Sequence, residues 1–153
     1  MQALTFALKN DTFAVPIESI KELIELPQLT SVPMMPAFLR GVMNLRGSVI
    51  PVIDLAERFG LIPSEPTRRT CVVIFELASS EGRNTLGVMV DAVHEVLEID
   101  SGRIDPPPQF GSHVAPAFLL GMARLQHKIV LLLDIEQVLS VQQLEALVMT
   151  TTH

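Results

Sequence analysis

Asp54 and Asp134 are the residues whose type and context most invite a chemical reading. Two carboxylates can divide general-acid and general-base roles when their surroundings separate their pKa values. Each, however, opens the same pattern: Asp54-Leu55-Ala56-Glu57 and Asp134-Ile135-Glu136-Gln137. An oxygen acceptor followed three residues later by Glu or Gln is the spacing of a capped helix start, so both are expected to be N-caps. Cys71 begins the apolar run Cys71-Val72-Val73-Ile74-Phe75. A nucleophilic thiol needs exposure and a base, so a buried, inert thiol is expected there. His94, His113, His127 and His153 show no metal-ligand spacing. Arg46-Gly47-Ser48 lacks the pattern of a phosphate loop. No catalytic residue, metal site or cofactor is expected.

The segment Asn44-Leu45-Arg46-Gly47 remains. Taken alone it is equally a hairpin turn with a solvated arginine or a contact for a partner. An internal repeat sharpens the choice. Residues 36–60 align without gaps on 116–140, with 7 identities over 25 positions where chance gives roughly one or two. Upstream, Thr12 to Leu26 aligns on Thr85 to Ile99. In the second copy Arg124-Leu125-Gln126-His127 replaces the Arg46 segment, so the architecture does not require that arginine. A partner contact would explain it.

The elements that hold these residues read as short strands. Leu4–Lys9 and Thr12–Ile17 flank an Asn10-Asp11 turn, and Gly41–Leu45 and Val49–Ile53 flank Arg46-Gly47-Ser48. Cys71–Leu77 and Leu86–Val93 flank a polar loop from Ala78 to Thr85. Helices are expected only after Asp54, after Asp134 and from Ser140 towards Met149. Many short strands with frequent turns suggest small barrels, and no segment suits a βαβ crossover.

Length and composition bound the rest. With 153 residues, 48% of them apolar, 18% charged, and a mean hydropathy of +0.41, the chain is one folded domain with apolar residues to spare. Ile17, Ile20, Leu23, Ile24, Leu26, Val93, Val96 and Leu97 are expected to be mostly core or junction, with Met43 and Met89 lining a groove between two subdomains. A net charge of −6 argues against a nucleic-acid or membrane-surface binder, which needs a basic footprint. One cysteine, an N-terminus without signal-peptide character and the lack of a membrane-length apolar run make a soluble cytoplasmic protein the expectation.

The run Pro36-Ala37-Phe38-Leu39-Arg40-Gly41-Val42-Met43-Asn44-Leu45-Arg46-Gly47-Ser48-Val49-Ile50-Pro51-Val52-Ile53-Asp54-Leu55 closely resembles the signature of CheW-type chemotaxis coupling proteins. The likeness extends to Ile20-Lys21-Glu22-Leu23, Leu86-Gly87-Val88-Met89-Val90-Asp91 and the proline-rich Ile104 to Pro108. The resemblance implies a mainly β fold of two similar SH3-like five-stranded β-barrel subdomains in one CheW-like domain, with short helices at the ends of the repeats. The expected division is 1–66 and 67–153, the first strand being free to pair with the second barrel. It further implies a non-catalytic adaptor, cytoplasmic and associated with receptor arrays. Its partners would be the cytoplasmic tip of a methyl-accepting chemoreceptor and the regulatory domain of a CheA-type histidine kinase. By position, Ile20, Glu22, Gly41, Arg46 and Val96 match receptor-binding residues, and Phe110 matches a region that packs against the kinase. A paralogous scaffold of a twitching-motility or other chemosensory-like pathway would look the same, and a small-barrel nucleic-acid binder is a distant alternative.

Overall fold

The computed structural model describes residues 1–79, 82–107, 114–125 and 127–139. The expected hairpins form, with small shifts at their ends. Strands β1 (Gln2–Leu8) and β2 (Asp11–Pro16) turn on Lys9 and Asn10, which take φ of 58° and 146°, one residue earlier than the Asn10-Asp11 reading. Next come β3 (Ile20–Glu25), β4 (Leu39–Leu45), β5 (Ser48–Asp54) and helix α1 (Leu55–Arg58). Strands β6 (Cys71–Ser79) and β7 (Gly82–Val90) run further than expected, pairing as far as Ser79 and Gly82 within the expected Ala78-to-Thr85 loop. Then follow β8 (Ala92–Glu98), β9 (Ile104–Asp105), β10 (Leu119–Leu125), β11 (Lys128–Leu133) and α2 (Ile135–Val138). The helix expected from Ser140 and the site residue Phe110 lie outside the described residues.

The strands form a five-stranded sheet in the order β3-β6-β7-β5-β4 and a six-stranded sheet in the order β8-β1-β2-β11-β10-β9. The two orders are the same pattern. The edge strand β3 answers to β8, the hairpin β6-β7 to β1-β2, and β5-β4 to β11-β10, each with one parallel pair, β5 on β7 and β11 on β2. The sixth strand is the two-residue β9 laid on β10. Sheet membership interleaves the two halves of the sequence. The hairpin β1-β2 sits with β8–β11, and β6-β7 sits with β3–β5, so each copy of the repeat places its leading hairpin in the other copy's sheet.

That exchange shapes the core. The largest buried cluster draws Leu4, Phe6, Leu8, Phe13 and Val15 from one sheet and Ile53, Val73, Phe75 and Val88 from the other. Smaller clusters sit on the opposite faces. Ala3, Ala14, Ala123, Val130 and Leu132 fill one barrel, and Met43, Ile50, Val52, Val72, Ile74 and Met89 fill the other. Alternate residues of β1, β5, β6, β7 and β11 are therefore buried on both faces, which accounts for much of the apolar excess. Met43 and Met89 are 3% and 0% exposed. They are barrel core rather than groove lining, because their side chains point into the five-stranded barrel and away from the seam.

The residues shared by the two copies have shared structural duties. Gly41 and Gly121 sit at bulges in β4 and β10. A Cβ on Gly41 would lie 2.6 Å from the Thr30 carbonyl oxygen, and one on Gly121 would lie 2.5 Å from that of Asp105. Glycine is thus demanded by a passing backbone at both places. The amide of Asp54 donates to Phe38 (2.7 Å) and that of Asp134 to Phe118 (2.8 Å). Asp54 Oδ1 accepts from the amides of Ala56 and Glu57, and Asp134 Oδ1 accepts from Gln137. Both aspartates are caps at separate helix starts, as expected. Phe38 and Phe118 lie on either side of Arg58, whose guanidinium carbon is 5.4 and 4.8 Å from the two ring centroids. Arg58 Nε donates to the Val138 carbonyl (2.8 Å), bridging the copies at the seam. Its partial burial lowers its pKa from the ordinary value.

Candidate partner-binding surface

The β4-β5 hairpin turns on two residues, Arg46 and Gly47, with φ of 50° and 89°. Positive φ at both positions gives a turn whose twist matches the flanking strands. Asn44 Oδ1 accepts the Gly47 amide at 2.9 Å and fixes the tip. The Asn44-to-Gly47 run is therefore a turn motif, and the geometry also aims Arg46. Its Nη2 and Nη1 donate to Glu22 Oε1 and Oε2 at 2.8 and 2.9 Å, a two-pronged charge-assisted pair. Glu22 lies on β3 and Arg46 follows β4, the two edge strands of the five-stranded order. The pair thus links the ends of one sheet, helped by the Thr30–Val42 bridge.

Hydrogen bonding from Arg46 holds the Glu22 carboxyl below its usual pKa, and Glu22 in turn raises that of Arg46. Arg46 is 70% exposed and Glu22 24%, so the fork is presented to solvent. The other arginine of the motif is different. Arg40 Nη1 lies 3.3 Å from Asp54 Oδ2, a carboxylate with no exposure that also accepts the Ser64 amide. Arg40 and Asp54 tie the connection after α1 to the barrel.

Among the receptor-site expectations, the structure brings Glu22 and Arg46 into contact and places Ile20 at the start of the same strand, half-buried against the central core. Gly41 is buried beneath Thr30 and presents no surface of its own. Val96 is exposed on β8, the edge strand of the other sheet, and among the described contacts it does not join the Glu22–Arg46 fork. Leu23 answers to Val96 in the repeat, and both are exposed, at 45% and 52%. Val49 on β5 likewise answers to Ile129 on β11, at 70% and 55%. Leu23 and Val96 therefore depart from the core expectation. Exposed apolar positions recur in register, and the repeat alignment contained the signal for Leu23, Val49 and Ile129.

The chemical candidates stay apart. Cys71 is half-buried rather than buried, and its thiol donates to the Arg69 carbonyl at 3.4 Å. Among the described residues no group of His, Cys, Asp and Glu could hold a metal ion. No helix among them is long and apolar enough to cross a membrane.

A family model of the CheW-like domain matches residues 2–143. The chain belongs to the CheW-like domain family. It is 32% identical to the probable chemotaxis protein CheW of Rhizobium etli over 145 residues, covering 95% of this chain and 91% of that one. It is 31% identical to the chemotaxis protein CheW of Klebsiella aerogenes over 141 residues, covering 92% and 82%. The crystal structure of the scaffolding protein TtCheW from Thermoanaerobacter tengcongensis matches with a TM-score of 0.80 at 31% identity, covering 90% and 86%. A CheW-like domain is a non-catalytic scaffold or adaptor, which agrees with two aspartates spent on helix caps.

Proposed function

We propose that this CheW-like domain is a chemotaxis coupling adaptor. One surface binds the cytoplasmic tip of a methyl-accepting chemoreceptor, and another binds the regulatory domain of a CheA-type histidine kinase within membrane-associated receptor arrays. The observation that carries the reading is the solvent-facing Glu22–Arg46 fork, built from an arginine that the second copy of the repeat lacks. The relatives named chemotaxis protein CheW support the pathway.

In this reading Glu22, Arg46, Ile20 and the exposed Leu23 meet the receptor from the five-stranded sheet, and Val96 meets it from the edge of the six-stranded one. Gly41 acts from below by letting Thr30 cross β4. Apolar residues contribute area, and the fork contributes orientation and selectivity. The segment with Phe110 is assigned to the kinase. Co-sedimentation with receptor-containing membranes tests the proposal: the protein is expected in the pellet and to bring the kinase with it. A protein that stays in the supernatant with both partners present would overturn it.

A further inference from the structure

An open cleft of about 640 Å³ lies apart from the Glu22–Arg46 fork and shares none of its residues. Its walls are the end of β1 with its turn, the β7-β8 junction and the connection from α1 to β6. Lys9, Arg68 and Arg69 line it, three of the 11 basic residues of a chain whose net charge is −6. The Arg68 and Arg69 side chains are exposed and make no ion pair among the described residues. They stand on a turn closed twice: the Thr70 amide donates to the Thr67 carbonyl at 3.2 Å, and the Thr67 amide to Thr70 Oγ1 at 2.8 Å. The cleft also contains two carboxylates. Asp91 accepts the Lys9 amide at 2.8 Å, and with Glu65 it offsets two of the three cations, leaving the cleft one net positive charge carried on the Arg68-Arg69 turn. Ser64 is 3% exposed, and its hydroxyl has no hydrogen-bond partner.

We infer that this cleft docks an acidic peptide segment of another protein. Two guanidiniums without an ion pair among the described residues stand on a fixed turn, and the Lys9 ammonium, which donates to the Pro63 carbonyl at 3.3 Å, lines the same cleft. Such a set suits carboxylates spaced along a chain. The volume falls in the range of sites that hold many-atom ligands, about 300–1,000 Å³, which favours a segment over a single ion. The acidic remainder of the surface repels such a segment and confines it to this cleft.

Fluorescence anisotropy with a labelled hexaglutamate peptide tests the inference on the full chain. Wild type is expected to bind it in a salt-dependent manner and to ignore hexaglutamine. The double variant Arg68→Glu/Arg69→Glu is expected to bind about tenfold more weakly or less, while Arg103→Glu, an exposed arginine outside the cleft, leaves binding unchanged. If the double reversal does not fold, Arg68→Gln/Arg69→Gln replaces it. Amide shifts in the wild-type protein should move at Lys9 and across 64–70. Absence of binding, an equal loss in Arg103→Glu, shifts confined to other regions, or ready displacement by inorganic phosphate would each overturn the inference. Receptor and kinase co-sedimentation is independent of all four results, so failure here is separable from failure of the coupling role.

Discussion

Arg46 and Glu22 are 24 residues apart in the chain and meet only because a two-residue turn swings the tip of β4-β5 towards the opposite edge of the sheet. Both are solvent-facing enough that the pair adds little to stability. Arg46→Glu is therefore expected to move the melting temperature by less than about 2 °C, because surface changes seldom alter stability strongly. A large fall in a thermal melt would make the arginine structural. The fork also has an acid dependence. Arg46 lowers the Glu22 pKa in the folded state, so the stabilisation is complete above the unfolded carboxylate pKa and is lost as pH falls through the folded value. An NMR titration of the Glu22 side chain should find a midpoint below those of unpaired glutamates. In Arg46→Ala that midpoint should rise, and an unmoved midpoint would deny the pairing.

At the scale of elements, the two copies allow paired experiments. Asp54 holds the amides of Ala56, Glu57 and Ser64 and faces Arg40, whereas among the described residues Asp134 accepts only the Gln137 amide of its own helix. Asp54→Ala should cost about 2–4 kcal/mol in a urea titration, through a lost cap, a buried Ser64 amide left without its acceptor and a half-buried Arg40 left without its carboxylate. Asp134→Ala should cost only about 1 kcal/mol. Equal costs would show that the Arg40 and Ser64 contacts contribute nothing. Gly41→Ala and Gly121→Ala should each destabilise by about 1–3 kcal/mol, since the new methyl meets backbone at 2.6 and 2.5 Å. A loss at both sites would assign Gly41 to architecture, with its effect on binding following from the fold.

For the molecule as a whole, the hairpins, the repeat and the capped helices were legible because each depends on local pattern. The exchange of hairpins was not. The β1-β2 and β6-β7 strands are apolar on both faces, so nothing in either hairpin names the sheet it will join. Met43 and Met89 misled for a related reason: methionine suits a groove and a barrel core equally well. The family resemblance points to Glu22 and Arg46 separately, and their contact is not legible in the sequence because it depends on sheet closure. Leu23 reads as core from its apolar neighbours, whereas the structure exposes it together with Val96, its counterpart in the repeat. The exchange has a direct consequence. Fragments 1–66 and 67–153 each lack a hairpin that their sheet requires, so neither should show a cooperative thermal transition alone. A cooperative melt from either fragment would contradict the interleaved core.

Coupling itself is tested most directly by kinase phosphorylation in a mixture of receptor, kinase and this protein. Adding the wild-type protein should make phosphorylation depend on the receptor and its ligand. Arg46→Glu, still folded, should reduce that coupled activity on the order of tenfold. Phosphorylation that is the same with and without the protein would contradict the coupling account.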